Sequence, residues 1–119
     1  MDKMKILYVD NNRSNLYLFS SWYSDEYDVY TAANEEVAIR MLEDFDFEFV
    51  ISDQMLDSLS GEDFLKFIRQ TWPKTNTILL TASNDPTIYS NVNHKNDVDH
   101  YLIKPYNPIK LGTIFRKAG

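Results

Sequence analysis

Residues 49–53 read Phe-Val-Ile-Ser-Asp. Three consecutive apolar residues with no polar alternation suit a strand covered on both faces, which is the condition of a parallel sheet. The run then stops in a hydroxyl and a carboxylate. Working outward, the same pattern recurs. Ile6-Leu7-Tyr8-Val9 ends in Asp10-Asn11-Asn12, Ile78-Leu79-Leu80 in Thr81-Ala82-Ser83, and Tyr101-Leu102-Ile103 in Lys104-Pro105. Asp28-Val29-Tyr30-Thr31 is a weaker fifth run that ends in no chemistry-bearing residue.

Between the runs lie segments of helical period. Leu16, Phe19, Ser20 and Tyr23 share one stripe, Ala38, Met41, Leu42 and Phe45 a second, and Leu111, Ile114, Phe115 and Ala118 a third. Asn34 ahead of Glu35-Glu36 reads as an N-cap with acids at the positive end of the helix dipole. Ser60 with Asp63 resembles a capping box, and Asn107-Pro108 sets a cap before a first-turn proline. The order is β-α five times over. It predicts a doubly wound (βα)5 parallel sheet with right-handed crossovers and helices on both faces, in one domain spanning residues 1–119. The segment 85–96 is rich in asparagine and β-branched residues, so its helix, the fourth, is expected to be short or irregular.

Composition narrows the function classes. The 119 residues carry 18 acids and 12 bases for a net charge of −6, which argues against a nucleic-acid surface. There is no cysteine, which excludes disulfides, thiol nucleophiles and cysteine-ligated zinc. No apolar run approaches the length of a membrane span, and residues 1–5 lead into the first strand without a signal-peptide core. A cytoplasmic protein with no membrane partner is the expectation.

In an open α/β sheet, ligands bind beyond the carboxyl ends of the strands, where strand order reverses. That rule gathers Asp10, Asp53, Thr81 and Lys104 on one edge. Two carboxylates without histidine or cysteine suit a hard, oxygen-seeking cation such as Mg²⁺. A lysine and a hydroxyl opposite them suit phosphoryl oxygens, and a carboxylate is itself a competent nucleophile toward phosphorus. Asp53, ending the central run, is the best placed acceptor.

These residues carry a resemblance to the receiver domain of two-component response regulators. Ile6-Leu7-Tyr8-Val9-Asp10-Asn11 resembles the first strand and acidic pair of that family. Asp53-Gln54-Met55 followed by Gly61 resembles its acceptor and loop, Ile78-Leu79-Leu80-Thr81-Ala82 its switch strand, and Tyr101-Leu102-Ile103-Lys104-Pro105 its last strand. Each motif alone is weak, and four in order along the whole chain are specific. The resemblance implies a flavodoxin-like strand order 2-1-3-4-5. It implies a phosphorelay in which Asp53 takes a phosphoryl group from a histidine kinase or phosphotransfer protein. Asp10, Asn11, Asp53 and the Met55 backbone carbonyl would hold Mg²⁺. Lys104 would pair with the phosphoryl oxygens, Thr81 would close on them, Tyr101 would turn inward, and Pro105 would follow a cis peptide bond. A homodimer through the fourth helix, fifth strand and fifth helix is implied as well. The chemistry would be self-modification rather than turnover of a separate substrate, so the chain is not expected to be an enzyme.

Two positions depart from the family pattern. Asn11 stands where the second acid is usual, which removes a full charge and predicts weakened Mg²⁺ binding. Asp57 stands where proline is common and reads as a solvated loop aspartate. Asn11 also supports a rival reading, a pseudo-receiver that acts as an interaction module without phosphorylation. A flavodoxin-like cofactor site is disfavoured because Asn12-Arg13-Ser14-Asn15 lacks a glycine-rich phosphate loop. A metal-dependent phosphatase is disfavoured because Met55 occupies the place of a second catalytic acid. His94 and His100 read as surface residues, and Trp22 and Trp72 as covers for core edges.

Overall fold

The computed structural model describes residues 3–56, 60–81, 98–104 and 107–118. Its elements are β1 (Lys5–Val9), α1 (Arg13–Tyr23), β2 (Asp28–Ala32), α2 (Glu35–Asp44), β3 (Phe49–Asp53), α3 (Gly61–Thr71), β4 (Asn76–Thr81), β5 (His100–Ile103) and α4 (Pro108–Ala118). The strands form one parallel sheet in the order β2-β1-β3-β4-β5. All five apolar runs are strands, the weak run included. The helix expected within 85–96, together with Asp57, His94 and Pro105, lies outside the described residues.

The uninterrupted apolar runs are explained by the two faces they serve. Side chains alternate across a strand. Ile6, Tyr8, Ile51, Ile78 and Leu80 therefore join Phe19 and Tyr23 of α1 and Leu111 and Phe115 of α4 in one core. Leu7, Val9, Val50 and Leu79 join Ala38 and Leu42 of α2 and Phe64, Leu65 and Ile68 of α3 in the other. Strand β2 lies at the edge and is only partly buried over Asp28–Thr31, which accounts for its weaker pattern.

The caps form as the sequence predicts. Val37 N–H donates to Asn34 Oδ1 at 2.9 Å, Asp63 N–H to Ser60 Oγ at 3.1 Å, and Ile109 N–H to Asn107 Oδ1 at 2.8 Å. Phe45 is a correction. It ends α2 as the C-cap in extended conformation, and its ring meets Tyr30 at a tilt and Phe47 edge-on instead of continuing the helical stripe. Trp72 covers the α2–α3 core as expected, whereas Trp22 is about half exposed at 49 %.

In the other core, the Phe115 ring meets Tyr23, Tyr27 and Phe49 edge-on, with centroids 5.1 to 5.5 Å apart. Burial lifts the Tyr27 hydroxyl above its ordinary pKa of 10.0, Glu26 adds to the rise, and Arg116 opposes it. The unfolded chain then loses this proton before the folded one does. The contribution of Tyr27 to stability is whole below pH 10.0 and is lost as pH rises through the folded value. Urea midpoints measured across that range should fall less steeply in Tyr27→Phe than in the wild type.

Candidate functional site

Strand order reverses between β1 and β3, so the carboxyl ends of these two strands flank the switch point where such sheets bind ligands. Asp10 follows β1, Asp53 ends β3, Thr81 ends β4, and Lys104 follows β5. The register holds them level, with Val9 beside Ser52, Asp53 beside Leu80, and Thr81 beside Ile103. Lys104 N–H donates to the Thr81 carbonyl at 2.7 Å, which extends the β4–β5 pairing one step past the strand.

At this edge the Lys104 ammonium pairs with Asp53 Oδ1 and lies 3.9 Å from Asp10 Oδ2. One lysine thus bridges the two carboxylates that the sequence placed together. Asp10 is 1 % exposed. Burying a charge is costly unless it is paired and hydrogen-bonded, and each of its carboxylate oxygens accepts a hydrogen bond. Oδ2 accepts from the Tyr8 hydroxyl at 2.6 Å and from Asn15 Nδ2 at 3.0 Å, and Oδ1 accepts from Asn12 N–H at 2.9 Å. Asn12 caps α1 through Asn15 N–H at 3.2 Å, so the first turn of that helix and the acid position one another.

Thr81 is fully buried, and its hydroxyl donates to Gln54 Oε1. Gln54 is fixed at both backbone groups: its N–H donates to Leu80 O at 2.9 Å and its carbonyl accepts from Gly61 N–H at 2.7 Å. Met55 forms an antiparallel bridge with Ser60 and leaves its side chain exposed. Asn11 is exposed one residue beyond Asp10. Tyr101 is half-buried and packs on the core that contains Leu79 and Val98. His100 is exposed, as the sequence suggests.

Tyr8, Asn15 and Gln54 were not singled out by the sequence. Tyr8 left one usable signal. A buried tyrosine hydroxyl seeks a partner, and Asp10, two residues on, shares its side of the strand. Asn15 and Gln54 left none, because their partners are set by the fold.

The side-chain donors that this edge brings together for a cation are the oxygens of two carboxylates, Asp10 and Asp53. Among the described residues, no group of three or more histidine, cysteine, aspartate or glutamate side chains is gathered as a metal centre. Two carboxylates with further oxygens fit Mg²⁺, which keeps several waters and takes few protein charges.

The strand order and the acid–lysine edge define the class, a flavodoxin-like α/β domain with its charged residues at the switch point. The model of the response regulator receiver domain matches residues 6–116, and the chain belongs to that family. It is 26 % identical over 114 residues to the hydrogenase transcriptional regulatory protein HoxA of Cupriavidus necator, covering 95 % of this chain and 23 % of that protein. The chain therefore spans under a quarter of the length of that curated relative.

Among solved structures, the signal receiver domain of an HD domain-containing protein from Pseudomonas fluorescens Pf-5 superposes with a TM-score of 0.87 at 27 % identity, over 99 % of this chain and 88 % of that one. The response regulator TrrA of Thermotoga maritima, in complex with Mg²⁺-BeF, gives 0.84 at 26 % identity over 98 % and 99 % of the two chains. No helix among the described residues is long and apolar enough to cross a membrane.

Proposed function

We propose that this receiver domain takes a phosphoryl group onto Asp53 from a histidine kinase or phosphotransfer protein. The observation that carries the reading is the lysine bridge, Lys104 against Asp53 and Asp10 at the switch point, with the Thr81 strand end alongside. In the transfer, an Asp53 carboxylate oxygen forms the new P–O bond as the P–N bond of a phosphohistidine breaks. The imidazole nitrogen leaves with the bonding pair and takes up a proton. Lys104 neutralises charge on the phosphoryl oxygens, and the Thr81 hydroxyl turns to donate to one of them. Tyr101 moves further into the core as Thr81 leaves its resting position. The two packings differ in population because these contacts exist only when Asp53 is modified.

Asp10, Asp53, the Met55 carbonyl and Asn11 would hold Mg²⁺, the ion that TrrA holds with BeF. Bound there, Mg²⁺ supplies positive charge against the phosphoryl oxygens. Asn11 offers an amide oxygen where an acid would add a unit charge. A unit pair at ~4 Å with an effective dielectric of ~20 amounts to roughly 4 kcal/mol, of which only part survives solvation and acid–acid repulsion. Asn11→Asp should therefore bind Mg²⁺ about tenfold more tightly, a difference near 1.4 kcal/mol by the affinity scale. Equal affinities in a titration of the two proteins would sink that account of Asn11.

Once phosphorylated, the domain pairs with a second copy through β5, α4 and the helix expected within 85–96, which lies outside the described residues. Support comes from β5 being the outermost strand of the described sheet, with its own Ile103 exposed. Light scattering with and without acetyl phosphate reads that step.

Intact mass after incubation with acetyl phosphate and Mg²⁺ tests the main reading. One phosphoryl group is expected on the wild type and none on Asp53→Asn. Uptake that requires Asn11→Asp, or that fails in both proteins, favours an interaction module of the same fold.

A further inference from the structure

We propose that Gln54 is a positioning residue that holds the Thr81 hydroxyl in the resting state and so sets how readily the domain switches. This deepens the reading of Asp53 as phosphoryl acceptor and rests on it. The Thr81 hydroxyl carries a single proton, and in the structure that proton goes to Gln54 Oε1. An oxygen on Asp53 must take the same proton for Thr81 to close on a phosphoryl group. Gln54 directly follows Asp53, so the two acceptors compete from adjacent residues.

The competition has a fixed geometry. Gln54 is bound through its N–H to Leu80, the residue before Thr81, and through its carbonyl to Gly61 at the start of α3. It is half-buried, and its side chain reaches Thr81 from a backbone hydrogen-bonded on both sides. Thr81 is fully buried, and its carbonyl accepts from Lys104 N–H, so the β4 end is tied to β5 as well. With the backbone tied on both sides, the hydroxyl of Thr81 is what turns from one acceptor to the other.

A phosphoryl oxygen is charged and makes the stronger hydrogen bond, roughly twice that of a neutral amide. It wins, yet each closure gives up the bond to Gln54. Binding by a minor conformation is weakened by the fraction that is competent. Removing the amide should therefore raise affinity for a phosphoryl mimic about three- to tenfold, the worth of one neutral hydrogen bond.

The test uses the whole chain, labelled at threonine methyl groups. In ligand-free protein, the Thr81 methyl resonance should shift in Gln54→Met, which keeps side-chain length and removes the acceptor. It should stay near the wild-type position in Gln54→Glu, which keeps an acceptor oxygen. Beryllofluoride with Mg²⁺ is then titrated into wild type and Gln54→Met, each with Thr81 intact and as Thr81→Val. The gain in affinity should be present with threonine and absent with valine. A Thr81 resonance unmoved in Gln54→Met, or a gain that persists in Thr81→Val, would overturn the proposal. Failure of the wild type to bind beryllofluoride would count against the phosphoacceptor reading, and the ligand-free resonance would still decide the role of Gln54.

Discussion

Gly61→Ala lowers the melting temperature by about 10 °C, because a 3 kcal/mol loss in a domain of this size shifts the midpoint by roughly that much. A Cβ at this position would lie 1.9 Å from the Asp53 carbonyl oxygen, 2.9 Å from its carbon and 3.0 Å from Leu79 Cδ1. The first two atoms are backbone of β3, so no side-chain rotation relieves them. Gly61 is also the first residue of α3, and its N–H holds the Gln54 carbonyl at 2.7 Å. The added methyl group must therefore push the end of β3 away or lift α3 off the sheet. Lifting α3 would draw Phe64, Leu65 and Ile68 from the core they share with Leu79 and Val50. Overpacking of this kind commonly costs about 1–3 kcal/mol, and contact with unyielding backbone places this case at the top of that range. Calorimetry of the two proteins reads the effect. A midpoint shift under about 2 °C would mean that α3 and β3 are not as close as described.

Much of this arrangement was legible in the chain. The runs Ile6–Val9, Phe49–Ile51 and Ile78–Leu80 declared buried strands because each must feed two cores, and the structure divides each between them. The cap residues Asn34, Ser60 and Asn107 declared helix starts because their signal is local, a side-chain oxygen within three residues of the amide it serves. Asp10, Asp53, Thr81 and Lys104 could be placed on one edge because each ends or follows a strand.

What the sequence hid depends on tertiary distance. Thr81 and Gln54 are 27 residues apart, and no pattern links them until β3 and β4 are paired. The stripe that included Phe45 misled because helical period does not mark the last turn. After Asp44 the backbone opens to φ −133°, ψ 150°, and Phe45 joins an aromatic group with Tyr30 and Phe47.

Lys104→Met should move cation binding and phosphoryl uptake in opposite directions. In the resting site the ammonium is the only described cation that bridges Asp53 and Asp10, 3.9 Å from the latter. A unit pair at that distance with an effective dielectric near 20 is worth about 4 kcal/mol before solvation is counted. Any divalent ion entering between the acids must displace or repel this charge. Methionine keeps the length of the stem and removes the charge, so Mg²⁺ should bind about tenfold more tightly, a gain near 1.4 kcal/mol. The same change takes from the phosphoryl oxygens the cation that would neutralise them. Uptake from acetyl phosphate should then fall by about two orders of magnitude, near 2.7 kcal/mol of barrier, even at saturating Mg²⁺. A lysine needed only for folding would lower both quantities together. Fluorescence titration with Mg²⁺ and the rate of mass gain, measured on one preparation, separate the two cases. Weaker Mg²⁺ binding in Lys104→Met would show that the lysine supports the cation site instead of competing for its acids.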